Sequence, residues 1–157
     1  MKVQLDEIDL SILREIQSDS RISNSELARR INLSQPATHQ RLKRLQNDGI
    51  ILKHVSLLNR DALGLDLICF FQVRLQGHSE EALLGFETAI KGFENVLECH
   101  YLTGEYDYLI KAVFANRREL ELFERKSLRS LPGIAQNITS VVFSEIKSTT
   151  ALPFPTS

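Results

Sequence analysis

A helix-start signal that occurs three times within residues 5–49 constrains this chain more than any other feature. Each copy sets a short hydrogen-bond acceptor after an apolar residue, and in the first two a second apolar residue follows at the spacing of a hydrophobic staple. Leu5-Asp6 with Leu10 is the first copy, and Asp9 adds negative charge to its first turn. Ile22-Ser23 with Glu26 and Leu27 is the second, an S-x-x-E capping box. Leu33-Ser34 with Thr38 is the third, and Pro36 falls in its first turn, where a missing N–H costs nothing. Ile8, Ile12 and Ile16 recur every four residues, giving the first helix one buried stripe and an end near Ser18. The second helix is short and ends near Ile31. The third ends at Gly49, after Asn47-Asp48.

Only Asn32 to Ser34 separate the second helix from the third, which forces the sharp crossing of a helix-turn-helix. On a helical wheel Thr38, Leu42 and Leu45 fall on one side. Pro36, His39, Gln40 and Lys43 fall on the other, flanked by Ala37 and Arg44. The second helix of such a pair can enter the DNA major groove with its N-terminal residues toward the bases. Ser34, Gln35, Pro36, His39 and Gln40 lie at that end, and the polar ones suit base edges. Arg41, Lys43 and Arg44 suit phosphate. The competing reading is a charged face that only meets water. Ile50 to Ser56 reads as a following strand, as in a winged variant. Charge points the same way. Residues 1–60 hold ten Lys/Arg against seven Asp/Glu, a net of +3, while the remainder holds nine against thirteen, a net of −4.

Residues 57–65 read as a linker, with Asn59 capping a single turn that Gly64 closes. Beyond it the period changes to two. Phe71, Val73 and Leu75 alternate with Gln72, Arg74 and Gln76, so a strand is expected there. Ser79 starts a helix carrying Leu83, Phe86 and Ile90, and Gly92 ends it. Strands are expected over 96–103 and 106–115. Asn116 caps a second helix, which Leu131-Pro132-Gly133 stops, and a last strand is expected over 136–147. The order β-α-β-β-α-β is the ferredoxin-like split βαβ, whose helices cover one face of the sheet. Yet Tyr108 to Phe114 is apolar on both faces except at Lys111. A second copy of the chain would cover the open face and make a symmetric dimer, which also supplies two reading helices for a pseudo-palindromic site. The expected class is therefore α/β (α+β) in two domains: a winged helix-turn-helix over 1–56 and a ferredoxin-like effector-binding and oligomerisation domain over 66–157.

The segment Leu102-Thr103-Gly104-Glu105-Tyr106-Asp107-Tyr108 has two readings. Gly104-Glu105 fits a two-residue hairpin turn and nothing more. Alternatively, Asp107 binds an ammonium group and turn N–H groups bind a carboxylate, which together recognise a free amino acid. Cys69 and Cys99 read as small core residues. His39, His54, His78 and His100 are scattered and form no metal pattern. No cofactor loop, metal site or nucleophile–base pair is evident, so neither a cofactor nor catalysis is expected, and an enzyme using Asp107 or His100 as base is the weakest reading.

The pieces LDEIDLSILREIQSDSRISNSELARRINLS, QRLKRLQNDGII, VLECHYLTGEYDYLIKA, LRSLPGI and SVVFSEIKSTTALP, in this order, resemble the leucine-responsive/asparagine (Lrp/AsnC) regulators of transcription. The resemblance implies a winged helix-turn-helix, a ferredoxin-like effector domain, and dimers often assembled into rings of four. It implies a small amino acid as effector, held between dimers by Tyr101, Thr103, Gly104 and Asp107, with Gln136, Asn137, Thr139 and Ser140 from a neighbouring subunit. The recognition helix begins Gln35-Pro36-Ala37-Thr38-His39, where such relatives often have a Ser/Pro-rich start and an aliphatic residue at the Thr38 position. The expected function is sequence-specific, effector-modulated binding of double-stranded DNA. The alternative is an effector-binding assembly protein without operator recognition. With no signal-peptide core in MKVQLDEIDL and no apolar run of membrane length, a cytoplasmic protein is expected.

Overall fold

The computed structural model describes residues 4–131 and 133–154, so expectations touching residues 1–3 or the proline stop at 132 lie outside the described residues. The chain divides into two compact units, Met1–Leu57 with Lys147–Ser157, and Leu58–Ile146.

The first unit holds α1 (Glu7–Ser18), α2 (Asn24–Arg30) and α3 (Gln35–Asn47). Each helix starts where its cap is expected. Asp6 accepts from the Asp9 N–H and Asp9 accepts from the Asp6 N–H, a reciprocal box. Ser23 caps α2, but Glu26 does not complete the expected box. Its carboxylate is drawn instead to Arg29 and Arg30, one turn away on the same face. Asn32 adopts φ 54°, a left-handed conformation that Asn tolerates, and this tightens the α2–α3 turn. Ile12, Leu13, Leu27 and Leu45 form the core, joined by Ile8, Ile16, Ile22, Leu42, Ile50, Ile51 and Phe154.

The strand expected over Ile50–Ser56 is not formed among the described residues. The Ile50 and Ile51 N–H groups both return to the Leu45 carbonyl, at 2.9 and 3.1 Å, which folds the two isoleucines into the core. From Leu52 onward no ladder partner is present among the described residues, and Leu52 is 87% exposed. Alternation alone cannot make a strand without a second backbone to pair with. Residues 147–154, expected within the ferredoxin-like domain, pack with the helical unit. Phe154 supplies the apolar surface that takes them there.

The second unit opens with a one-turn 3-10 helix, Asp61–Leu63, capped by the Asn59 side chain and ended by Gly64. It continues with β1 (Leu67–Leu75), α4 (Glu80–Lys91), β2 (Val96–Tyr101), β3 (Tyr108–Phe114), α5 (Arg117–Leu122) and β4 (Ile134–Val141). The antiparallel sheet runs β2-β3-β1-β4, the order of a split βαβ. A π-helical stretch, Phe123–Leu128, continues α5, and its wider turn buries both end residues. Phe123 stacks at 5.5 Å on Phe71 and at 5.4 Å on Phe114, so one aromatic cluster joins this helix to the centre of the sheet.

The register sorts the sheet's two faces. Cys69, Phe71, Val73, Leu75, Tyr108, Ile110, Ala112 and Phe114 pack under the helices. Phe70, Gln72, Leu109 and Lys111 lie on the opposite face and are half-buried, while Ile138 is exposed. Cys69 is a core residue, and burial pushes its thiol up to about 11. Cys99 is not. It lies on the edge strand β2 and is exposed, because edge position overrides the apolar neighbours that suggested burial.

Candidate nucleic-acid and effector surfaces

The Ser34 cap fixes where α3 starts, and Thr38 and Leu45 are fully buried beneath it. The Thr38 hydroxyl donates to the Ser34 carbonyl at 3.0 Å, so this buried polar group is satisfied within its own helix. Ser34, Gln35, Pro36, His39, Gln40 and Lys43 are all exposed, and Pro36, His39, Gln40 and Lys43 lie along one side of the helix. That side combines amide and imidazole groups able to meet base edges with an ammonium suited to phosphate.

Arg41 and Arg44, both expected at phosphate, also bond carboxylates of α1. Asp9 of α1 has no exposed surface, and its carboxylate accepts from Arg41 at 2.8 Å and also from Arg44. Arg41 bonds Asp6 as well, at 2.6 Å. The Asp9 N–H, followed by the Arg41 guanidinium, holds the Asp6 carboxyl below its ordinary range. Asp6 and then Asp9 bind the Arg41 proton more tightly in return. A buried carboxylate requires such partners, because desolvation without them is prohibitive. Arg41 is therefore committed to fastening α3 to α1. Arg44 remains about half exposed and keeps surface toward solvent. Periodicity marks Asp9 only as a first-turn acid. The pair of arginines three residues apart on a facing helix is the signal that could have identified it.

The expected effector residues are split by the fold. Tyr101 pairs with Tyr108, Tyr108 with Val73 and Val73 with Asn137, so all four lie in one row at the same end of the sheet. Along that row Tyr101 and Asn137 sit on opposite edge strands. Gln136 and Ser140 alternate to the opposite face from Asn137 and Thr139. Gln136 bonds Arg74 at 2.9 Å, and Asn137 reaches toward Glu124 and Thr139. Tyr101 lines a groove of about 430 Å³ between α4 and β2, with Glu87, Lys91, Leu97 and Cys99. One subunit thus does not gather these eight residues into a single pocket.

The β2–β3 connection is wider than a two-residue turn. The Leu102 N–H donates to the Asp107 carbonyl at 2.7 Å, leaving Thr103 to Tyr106 as the loop. Gly104 takes φ 129° there, where only glycine is comfortable, and Thr103 and Gly104 are exposed. Asp107 is buried and already engaged. Its carboxylate accepts the Leu75 N–H at 2.7 Å and bonds His78 Nε2 at 2.7 Å. Burial pushes its pKa up, but the Leu75 N–H, His78 and Arg74 outweigh that and leave it below the ordinary value. Asp107 therefore ties the end of β1 to the turn, which differs from an ammonium-binding carboxylate open to solvent.

With this geometry established, known proteins supply the context. The model of the Lrp/AsnC ligand-binding domain matches residues 68–152, and that of a winged helix-turn-helix DNA-binding domain matches residues 5–51. The chain belongs to the Lrp/AsnC family. It is 37% identical over 145 residues to the proline dehydrogenase transcriptional activator of Rhizobium radiobacter, covering 92% of this chain and 93% of the relative. It is 35% identical over 152 residues to the leucine-responsive regulatory protein of Escherichia coli, covering 97% and 93%. A transcriptional regulator of Neisseria meningitidis, solved as its L-Met complex, superimposes with a TM-score of 0.91 at 35% identity, over 96% of this chain and 97% of that one. The protein is thus a DNA-binding regulator of transcription with a ligand-binding domain, and not an enzyme. Among the described residues no helix is long and apolar enough to cross a membrane.

Lys43→Ala is expected to lower the log–log salt slope of duplex binding by about 0.9 for each α3 bound to the duplex, as one phosphate contact per helix is lost. Arg41→Ala is expected to leave that slope nearly unchanged and to destabilise the protein by about 1.5–3 kcal/mol, the cost of charged hydrogen bonds. Fluorescence titration over a salt series and urea unfolding separate the two. For Asp107, a depressed folded pKa contributes stability above the ordinary value of 3.8 and loses it as pH falls through the folded value. Asp107→Asn is expected to cost about 1–3 kcal/mol near neutral pH. It should also flatten the decline of stability in acid. Urea midpoints measured along a pH series check both effects.

Proposed function

We propose that this Lrp/AsnC regulator reads a pseudo-palindromic operator as a symmetric assembly and that a free amino acid modulates its binding. The observation that carries the DNA reading is the exposed side of α3, where Gln35, His39, Gln40 and Lys43 stand clear of the carboxylates that hold Arg41. Ser34 and Pro36 fix the end that meets the bases, and Arg44 adds cationic surface beside the phosphates. Two such helices in a dimer would address two half-sites.

The half-apolar open face of the sheet, with Phe70, Leu109 and Ile138, supports a dimer through the second unit. Dimers then assemble further, to an octamer. The split placement of the effector residues supports a site completed between subunits. The exposed Thr103 and Gly104 of one turn would meet Gln136 and Ser140 of a neighbour, with Tyr101 beside the ligand and Asp107 fixing the turn. Asn137 and Thr139 would shape that region from the helix-covered face. The L-Met complex of the Neisseria regulator supports an amino acid as the ligand class. A regulator of this kind acts on chromosomal DNA in the cytoplasm.

Calorimetric titration with each of the twenty amino acids is expected to show saturable binding of one or a few, weakened by Thr103→Ala and by Gln136→Ala. Binding of none would reject the effector reading. The alternative, an assembly protein that does not recognise an operator, predicts no binding to a random-sequence duplex even at low salt. The proposed reading predicts steeply salt-dependent binding.

A further inference from the structure

The tail of the chain makes specific contacts that neither DNA reading nor effector binding uses. After β4 ends at Val141, the segment from Lys147 onward groups with the helical unit. There the Gln17 side-chain amide of α1 grips the backbone of Leu152 in both directions. Its Nε2 donates to the Leu152 carbonyl at 2.8 Å, and its Oε1 accepts the Leu152 N–H at 3.0 Å. An amide that both donates to and accepts from one residue imitates a strand partner and fixes the backbone's direction. Two residues on, Phe154 packs against the helical core, and the Arg14 guanidinium lies 5.5 Å from its ring centroid. Thr149 Oγ1 accepts the Ala151 N–H at 3.1 Å and turns the segment before the clamp.

We infer that residues 149–154 form a releasable latch on α1, through which the last strand of the ligand-binding unit communicates with the DNA-binding unit. The occupant is this chain's own tail. It is covalently continuous with β4, and only residues 142–151 lie between the strand and the clamp. Release is easy because residues 149–154 have no regular secondary structure and Leu152 is 72% exposed. Among the described residues two points hold it, the Gln17 amide and the Phe154 ring, and elements attached this sparsely open at low free-energy cost. Whatever shifts β4 alters the tension on this segment and so the fraction of latches that are closed. An equilibrium of this kind responds to any ligand that prefers one of its states.

Hydrogen exchange of the full-length protein tests the latch without any effector or DNA, so its failure is distinguishable from failure of the functional reading. Gln17→Ala and Phe154→Ala are each expected to speed exchange of the Leu152 amide and of the C-terminal half of α1 by roughly tenfold, with β1 and β3 unaffected. Ser140→Pro removes an N–H from the β1–β4 ladder. It is expected to speed exchange in the same half of α1 in the wild-type background and to add nothing in the Phe154→Ala background. Asn137→Ala serves as the milder perturbation of β4 if the proline variant does not fold. Unchanged α1 exchange in both Gln17→Ala and Phe154→Ala would overturn the docking. Additive effects of the β4 and Phe154 substitutions would overturn the coupling.

Discussion

The helical unit depends on one buried carboxylate. Asp9 lies in the first turn of α1 with no solvent contact, bonds the Asp6 N–H, and accepts from Arg41 and Arg44 of α3. Its desolvation is tolerable only because these donors satisfy it, and each hydrogen bond to a charged group is worth about 1.5–3 kcal/mol. The apolar contacts of Ile12, Leu27 and Leu45 hold the helices together without fixing their pitch, since hydrophobic burial is non-directional. The guanidinium–carboxylate geometry supplies the direction. It also turns the Arg41 guanidinium toward α1, while Arg44 keeps about half of its surface exposed.

The ligand-binding unit uses a carboxylate in a comparable way. Asp107 joins the end of β1, through the Leu75 N–H and His78, to the start of β3. Its own N–H donates to Val73 at 2.9 Å. The exposed Thr103–Gly104 turn is thereby presented from a rigid base. Tyr101 and the Thr103–Gly104 turn thus stand at one end of the sheet, on backbone that Asp107 ties to β1. The split of Gln136 and Ser140 from Asn137 and Thr139 onto opposite faces follows from the two-residue period of β4.

Much of this was legible in the sequence. Asp6, Ser23, Ser34, Ser79 and Asn116 each cap the helix they were expected to cap, since a cap needs only a local acceptor and free N–H groups. The β-α-β-β-α-β order and the buried stripe of Thr38, Leu42 and Leu45 follow from periodicity. What periodicity does not show is non-local. Asp9 reads only as a first-turn acid until Arg41 and Arg44 are brought against it, and nothing near Asp107 in sequence shows that the Leu75 N–H and His78 reach it. Ile50–Ser56 has the composition of a strand without a backbone to pair with. The tail reads as the end of one domain because nothing near Phe154 in sequence shows that Arg14 and Gln17 receive it.

The Asp9 carboxylate and the Arg41 guanidinium hold α3 on α1 as a coupled pair. A double-mutant cycle measures this directly, with urea unfolding of wild type, Asp9→Asn, Arg41→Gln and the double variant. A coupling energy of about 1–3 kcal/mol is predicted, as for residues sharing one charged network. Additivity within about 0.3 kcal/mol would contradict the account, because that is the behaviour of independent sites.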